Sequence, residues 1–171
     1  MDDARLLDLV GRIYDAAGAA AEWNQVGKSI AEAVGAKYAW LMTLDPSAPE
    51  ACWLRGATGS DHFGYPLHED PWYPTVVDRQ AGDVVVGSDH LSSEDLLDSP
   101  FYDRMLREPN IRYACMVIVE RTDENAHFLA FNRTPEAGDF GAGDRSLLSL
   151  LAPHVRFDGE RTGWDVSFLQ G

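Results

Sequence analysis

Apolar residues recur at helical spacing near both ends of the chain and alternate or run together in its middle. From 3 to 17, Leu6, Leu7, Val10, Ile13, Tyr14 and Ala17 fall on one helical face, with Arg5, Asp8 and Arg12 opposite and Asp2 or Asp3 available as a cap. A second stripe, Trp23, Val26, Ile30 and Val34, predicts a helix over 21–34 that Gly35 closes. Residues 144–157 predict the last helix, with Leu147, Leu148, Leu151 and Val155 inward and a kink at Pro153. Between these ends, KYAWLMTL (37–44), ACWLRGA (51–57), DVVVG (83–87), RYACMVIVER (112–121) and AHFLAFNR (126–133) read as strands. In the first strand Tyr38, Trp40, Met42 and Leu44 share a face, and Ala39, Leu41 and Thr43 share the other. In the last, Phe128 lies opposite His127, Leu129 and Phe131. Turn residues at 45–49 and 123–125 mark two hairpins. RYACMVIVER is apolar on both faces, as a strand inside a sheet must be, whereas DVVVG is short enough for an edge.

The stretch GYPLHEDPWYPTVVDRQ (64–80) breaks this pattern. It is too rich in proline and acid for a core strand, yet it carries Tyr65, Trp72 and Tyr73. Asp70-Pro71 has the form of an N-cap followed by proline at the first helical position, which predicts a short helix from Pro71 to about Gln80. Ser92 or Ser93 then caps a helical turn through Leu97, and Ser99-Pro100 opens another to about Arg107. The order is two helices, a hairpin, a helical crossing with an edge strand, a second hairpin and a closing helix. That order predicts an α+β fold: a five-stranded, mainly antiparallel sheet, terminal helices on one face and the crossing on the other. Residues 1–157 form one expected domain and 158–171 an aperiodic tail. The arrangement resembles that of GAF and PAS-type sensor domains.

Composition narrows the partners. A chain of 171 residues can bury roughly 70% of its unfolded surface in a single core. Its 45% apolar and 25% charged residues are ordinary for a globular protein, but the formal net charge of -14 is not. Such acidity repels phosphate backbones and anionic lipid, so direct contact with nucleic acid or a membrane is not expected. No run is long enough to span a bilayer, and the acidic start is unlike a signal peptide. Cys52 and Cys115 sit within predicted strands without metal or disulfide spacing, which reads as two buried, reduced thiols in a cytoplasmic protein.

Several segments together resemble one family. They are LVGRIYDAA (9–17) with Trp23, IAEAVGA (30–36), DPWY (70–73), GDVVVGSDHLSSEDLLDSPFYDRML (82–106) and FGAGDRSLLSLLAPHVR (140–156). The set resembles the N-terminal sensor region of bacterial LuxR-type transcriptional regulators, in which a GAF/PAS-like domain precedes a DNA-binding helix-turn-helix. The resemblance implies signal sensing coupled to transcription. No helix-turn-helix pattern is present in these residues, so the chain is expected to carry the sensing half as an excised, truncated or stand-alone module. In the autoinducer-binding branch an Asp and nearby aromatics of the crossing contact the ligand, which carries that role by resemblance to Asp70 and Trp72.

The residues themselves offer an aromatic pocket. Candidates are Trp40 and Trp53 from the first hairpin, Tyr65, Asp70, Trp72 and Tyr73 from the crossing, and Tyr102, Tyr113 and Phe128 beyond it. Asp70 has a competing purpose as a helix cap, and any of these aromatics can serve as plain core. His62, His68, Glu69 and Asp70 lack the spacing of a metal site, and His127 and His154 read as structural. No nucleophile elbow, P-loop, dinucleotide fingerprint or metalloprotease motif appears, so neither an enzyme nor a cofactor is expected. The expected partner is an apolar or aromatic small molecule, and the terminal helices suit a homodimer. The alternatives are a structural or dimerisation module with a filled core, or a GAF-fold thiol redox enzyme working through Cys52 and Cys115.

Overall fold

The computed structural model of the protein describes residues 3–16, 20–44, 52–56, 69–122 and 126–155, with the backbone alone at 20–23, 43–44 and 52–56. The expected turns at 45–49 and 123–125, the side chains of Trp23, Cys52 and Trp53, residues Tyr65, His62 and His68, and the 158–171 tail lie outside what is described.

Strands β1 (Tyr38–Leu44), β2 (Cys52–Gly56), β3 (Val84–Val86), β4 (Tyr113–Arg121) and β5 (Ala126–Arg133) form one sheet in the order β2-β1-β5-β4-β3. Every neighbouring pair is antiparallel. β3 lies at an edge, as its length predicts, and β4 is flanked on both sides. A register shift between Ile118 and Glu120 bends the far end of β4.

Alternation divides the side chains of this sheet between two cores. On one face Ala39, Leu41, Cys115, Val117, Leu129 and Phe131 pack under the helices α1 (Asp3–Asp15), α2 (Ala20–Ala33) and α5 (Ala142–Leu151). α2 turns Val26, Ile30 and Val34 inward, and α5 turns Leu147, Leu148 and Leu151 inward, as their periodicity predicts. At Pro153 the helix tightens into a 3-10 turn over Ala152–His154, which still buries Val155. α1 departs from expectation. Its buried residues are Leu9 and Ile13, followed by Ala16, whereas Leu7 is 70% exposed and Tyr14 62%. The apolar face of α1 is wider than its contact, and neighbours α2 and α5 select the side that is covered.

A buried arginine joins these helices to the sheet. Arg133, at the end of β5, donates from Nε (2.9 Å) and Nη2 to the Val34 carbonyl at the end of α2 and from Nη1 to the Asp139 carbonyl at 2.7 Å. It also pairs with Asp144 at 3.0 Å and lies 4.2 Å above the Phe140 ring. Gly35 leaves the helix at φ +60, and a Cβ there would stand 3.6 Å from the Arg133 guanidinium.

The second face carries Trp40, Met42, Ala114, Met116, Ile118, Ala126, Phe128 and Ala130 beneath the crossing segment. That segment contains α3 (Tyr73–Val76), α4 (Ser93–Leu97) and one turn of π-helix over Tyr102–Leu106. Ser92 caps α4 by accepting the Asp95 amide at 3.0 Å. Ser99 does the same for Tyr102 at 3.0 Å. Among the described residues no helix is long and apolar enough to cross a membrane.

Candidate ligand-binding site

Three residue rows across β1, β5 and β4 form the floor of a cavity on the second face. Tyr38 stands opposite Asn132 and Asn132 opposite Ala114; Trp40 opposite Ala130 and Ala130 opposite Met116; Met42 opposite Phe128 and Phe128 opposite Ile118. The first two rows place the short side chains of Ala114 and Ala130 among large ones, so the floor is lowest there. Above it lies a cavity of about 520 Å3, within the size range of small-molecule sites. The crossing supplies the other wall with Asp70, Trp72, Tyr73, Val76, Phe101, Met105, Leu106 and Ile111. Arg104, Glu108 and Pro109 complete the lining, and Arg104 is paired with Glu69.

Trp72 is held by local chemistry. Asp70 Oδ1 accepts the Trp72 amide at 2.8 Å and the Asp70 carbonyl accepts that of Tyr73 at 3.0 Å. The aspartate therefore organises the turn, as expected, although the helix proper starts at Tyr73 and ends at Val76 instead of running to Gln80. Beyond Val76 the amides leave the helical pattern: that of Arg79 bonds the Val76 carbonyl at 3.2 Å and that of Gln80 the Asp83 carboxylate at 2.9 Å. Arg79 Nε donates to the Thr75 carbonyl at 3.1 Å and Arg121 Nη2 to the Val76 carbonyl at 3.0 Å. The Trp72 indole then lies so close to Gly87 that a Cβ there would be 2.5 Å from Nε1. Glycine at 87 makes this seat possible.

Of the nine aromatic and acidic candidates, Trp40, Asp70, Trp72, Tyr73 and Phe128 line the cavity together. The Trp53 side chain and Tyr65 fall outside what is described. Two expectations are corrected. Tyr113 shares the parity of Cys115 and Val117 and packs against the helical core on the opposite face. Tyr102 is buried in the cavity-side core without lining the cavity; its ring has the Arg107 and Arg112 guanidinium groups 5.8 and 6.0 Å from its centre.

Sequence reasoning missed Asn132, the polar residue on the cavity floor. Only 6% exposed, it accepts a hydrogen bond on Oδ1 from Trp40 Nε1 at 2.9 Å. A lone amide following Ala126, Phe128 and Ala130 on one face of β5 was the available signal. Arg133, next to it, was missed for the same reason, since strand-end charges are ordinarily solvated.

Cys115 lies on the helical side of the sheet, fully buried, and burial pushes its thiol up to about 12. A thiol so placed is protonated near neutral pH and separated from the cavity by the sheet. Burial lowers the His127 pKa and favours neutral imidazole, even with the Glu120 carboxylate 4.0 Å from Nε2. His154 Nδ1 lies 3.2 Å from the Tyr14 hydroxyl. Among the described residues no cluster of three or more His, Cys, Asp or Glu is placed to hold a metal ion.

Comparison with known proteins gives a fold. No protein-family model and no curated protein sequence matches the chain. Solved structures do. The VqsR LBD domain of Pseudomonas aeruginosa superposes with a TM-score of 0.65 at 16% identity, covering 85% of this chain and 88% of that one. The GAF domain of an Acinetobacter phosphoenolpyruvate-protein phosphotransferase gives 0.58 at 14% identity, over 88% and 87% of the two chains. The chromophore-binding domain of the Stigmatella aurantiaca bacteriophytochrome gives 0.58 at 12% identity, over 88% of this chain and 57% of that one. The chain has a GAF-like fold, with helices packed on an antiparallel sheet.

Proposed function

We propose that the protein is a small-molecule sensor domain related to those of LuxR-type transcriptional regulators, binding an apolar or aromatic ligand between the sheet and the crossing segment. The observation that carries this reading is the cavity of about 520 Å3. A purely structural domain gains nothing from such a space, because each lining atom without a partner forfeits dispersion energy. The lining is indole, phenyl and thioether with a few polar groups, the chemistry of a small-molecule site. The likeness in fold to the VqsR LBD domain of Pseudomonas aeruginosa supports the same reading. The acidic surface leaves contact with DNA to another domain or partner. In this reading the domain works in the cytoplasm.

The test is protein purified from cells under native conditions, analysed by mass spectrometry for a retained small molecule and then by thermal shift against a library of flat apolar compounds. Ligands should raise the melting temperature, and Trp72→Ala should abolish that rise while leaving a folded spectrum. Hits whose effect survives both Trp72→Ala and Trp40→Ala would place binding elsewhere.

Homodimerisation is the second reading that a specific observation favours. Leu7 and Tyr14 on α1 and Leu150 on α5 are large apolar side chains exposed by 70, 62 and 47%. Sedimentation equilibrium of wild type and Leu7→Glu decides it; a monomer at every concentration would exclude the dimer.

A further inference from the structure

We infer that Asn132 is the polar recognition residue of the cavity and that it selects ligands carrying a carbonyl-type oxygen on a flat apolar body. The inference rests on the sensor reading above and adds the ligand's chemistry to it.

An amide side chain has one acceptor oxygen and an NH2 group with two donors. Indole is a donor only, so the bond from Trp40 Nε1 at 2.9 Å fixes which end of the amide is which: Oδ1 faces the indole. The NH2 group has no protein partner among the described residues, although Asn132 is only 6% exposed and lines the cavity. Its backbone is already used, since the Asn132 carbonyl accepts the Lys37 amide at 2.9 Å. A buried amide pinned at one end, with its donors left to an apolar cavity, is matched by a ligand oxygen that accepts a hydrogen bond.

The surroundings set the rest of the ligand. Next to Asn132 on the floor are Ala114 and, one row on, Ala130, which leave depth for a ring. Trp40 and Tyr38 form a wall, their rings stacked 6.0 Å apart at 23°. A ring lying against that wall can bring a ring-bound carbonyl to the amide. Burying a purely hydrocarbon body there instead leaves the donors unpaired, at a loss of roughly tenfold in affinity. Selection by an unpaired buried donor is stronger than selection by apolar fit alone.

Two matched probes test this on the full chain: 1-tetralone and tetralin, which differ by one carbonyl. Affinities are measured by titration of 15N-labelled protein, with the side-chain NH2 resonances of Asn132 assigned. The expected result is that both bind, the ketone roughly tenfold more tightly, and that only the ketone moves the Asn132 NH2 pair. In Asn132→Leu the preference should vanish or invert while tetralin still binds. Both probes binding wild type equally would overturn the role of Asn132 and leave the cavity reading intact. A ketone preference that persists in Asn132→Leu, or that leaves the Asn132 resonances unmoved, would assign the contact to Tyr38, Tyr73 or Arg104 and overturn it equally. If neither probe binds at millimolar concentration, the cavity reading fails and this inference with it. The resonance measurement on wild-type protein stands even if Asn132→Leu does not fold.

Discussion

Ala130→Leu turns the cavity into a stability measurement that needs no ligand. Ala130 is buried in the middle strand of the floor, opposite Trp40 on one side and Met116 on the other, and its methyl group faces the cavity. Leucine adds three carbons at that point. If they enter existing space, their burial stabilises the fold by up to about 2.4 kcal/mol, at about 0.8 kcal/mol for each. If the space were already filled, overpacking would instead cost about 1–3 kcal/mol. The two cases differ in sign. For a domain of this size about 2–4 °C accompanies each kcal/mol, so the cavity predicts a melting temperature raised by as much as about 5–10 °C. Urea titration followed by tryptophan fluorescence should show a higher midpoint at unchanged m-value. The same leucine occupies the ligand's place. A ligand present at 100 times its Kd should stabilise wild type by about 2.7 kcal/mol and Ala130→Leu hardly at all. A variant that is destabilised, or that still binds at wild-type affinity, refutes the reasoning.

Other positions make different demands. Gly87→Ala sets a methyl group 2.5 Å from the Trp72 indole nitrogen, and since an indole cannot fold away, the expected loss is about 1–3 kcal/mol together with ligand binding, read by thermal melting and titration. Arg133→Met keeps the apolar stem but leaves the Val34 and Asp139 carbonyls and the Asp144 carboxylate without their guanidinium. A loss of about 3–5 kcal/mol in chemical denaturation is expected; under 1 kcal/mol would show that water replaces the arginine at no cost. His127 is held below its ordinary pKa by burial, so the unfolded chain takes up a proton first as pH falls. Its contribution is fully present above about pH 6.5, the ordinary value, and is lost as pH falls from there through the lowered folded pKa. Denaturation between pH 5 and 7 should show that slope, and His127→Gln should flatten it.

The local chain was informative wherever a short-range rule acts alone. The periodicity of Val26, Ile30 and Val34, the serine caps at 92 and 99 and the turn at Asp70 depend on neighbours within about four residues, and they form as their sequence predicts. Strand parity likewise separated Phe128 from Leu129 and Phe131, which lie in opposite cores. In β4 the same parity sets Tyr113 with Cys115 and Val117, on the face away from the cavity.

What lay beyond the linear pattern depends on partners distant in the chain. α1 offers a broad apolar face, and contact with α2 and α5 is what covers Leu9 and leaves Leu7 in water. The Val76 carbonyl at the end of α3 accepts the guanidinium of Arg121, 45 positions away, beside the Arg79 amide. The cavity exists because antiparallel register sets Ala114 and Ala130 in adjacent rows among Trp40 and Met116, and because Gly87 gives the Trp72 indole its seat. Asn132 reads as an ordinary polar residue until that register brings Trp40 opposite its neighbour and the indole claims its oxygen. Short-range forces are written into runs of a few residues. The shape of a cavity is a difference between side chains that only a register between separate strands brings together.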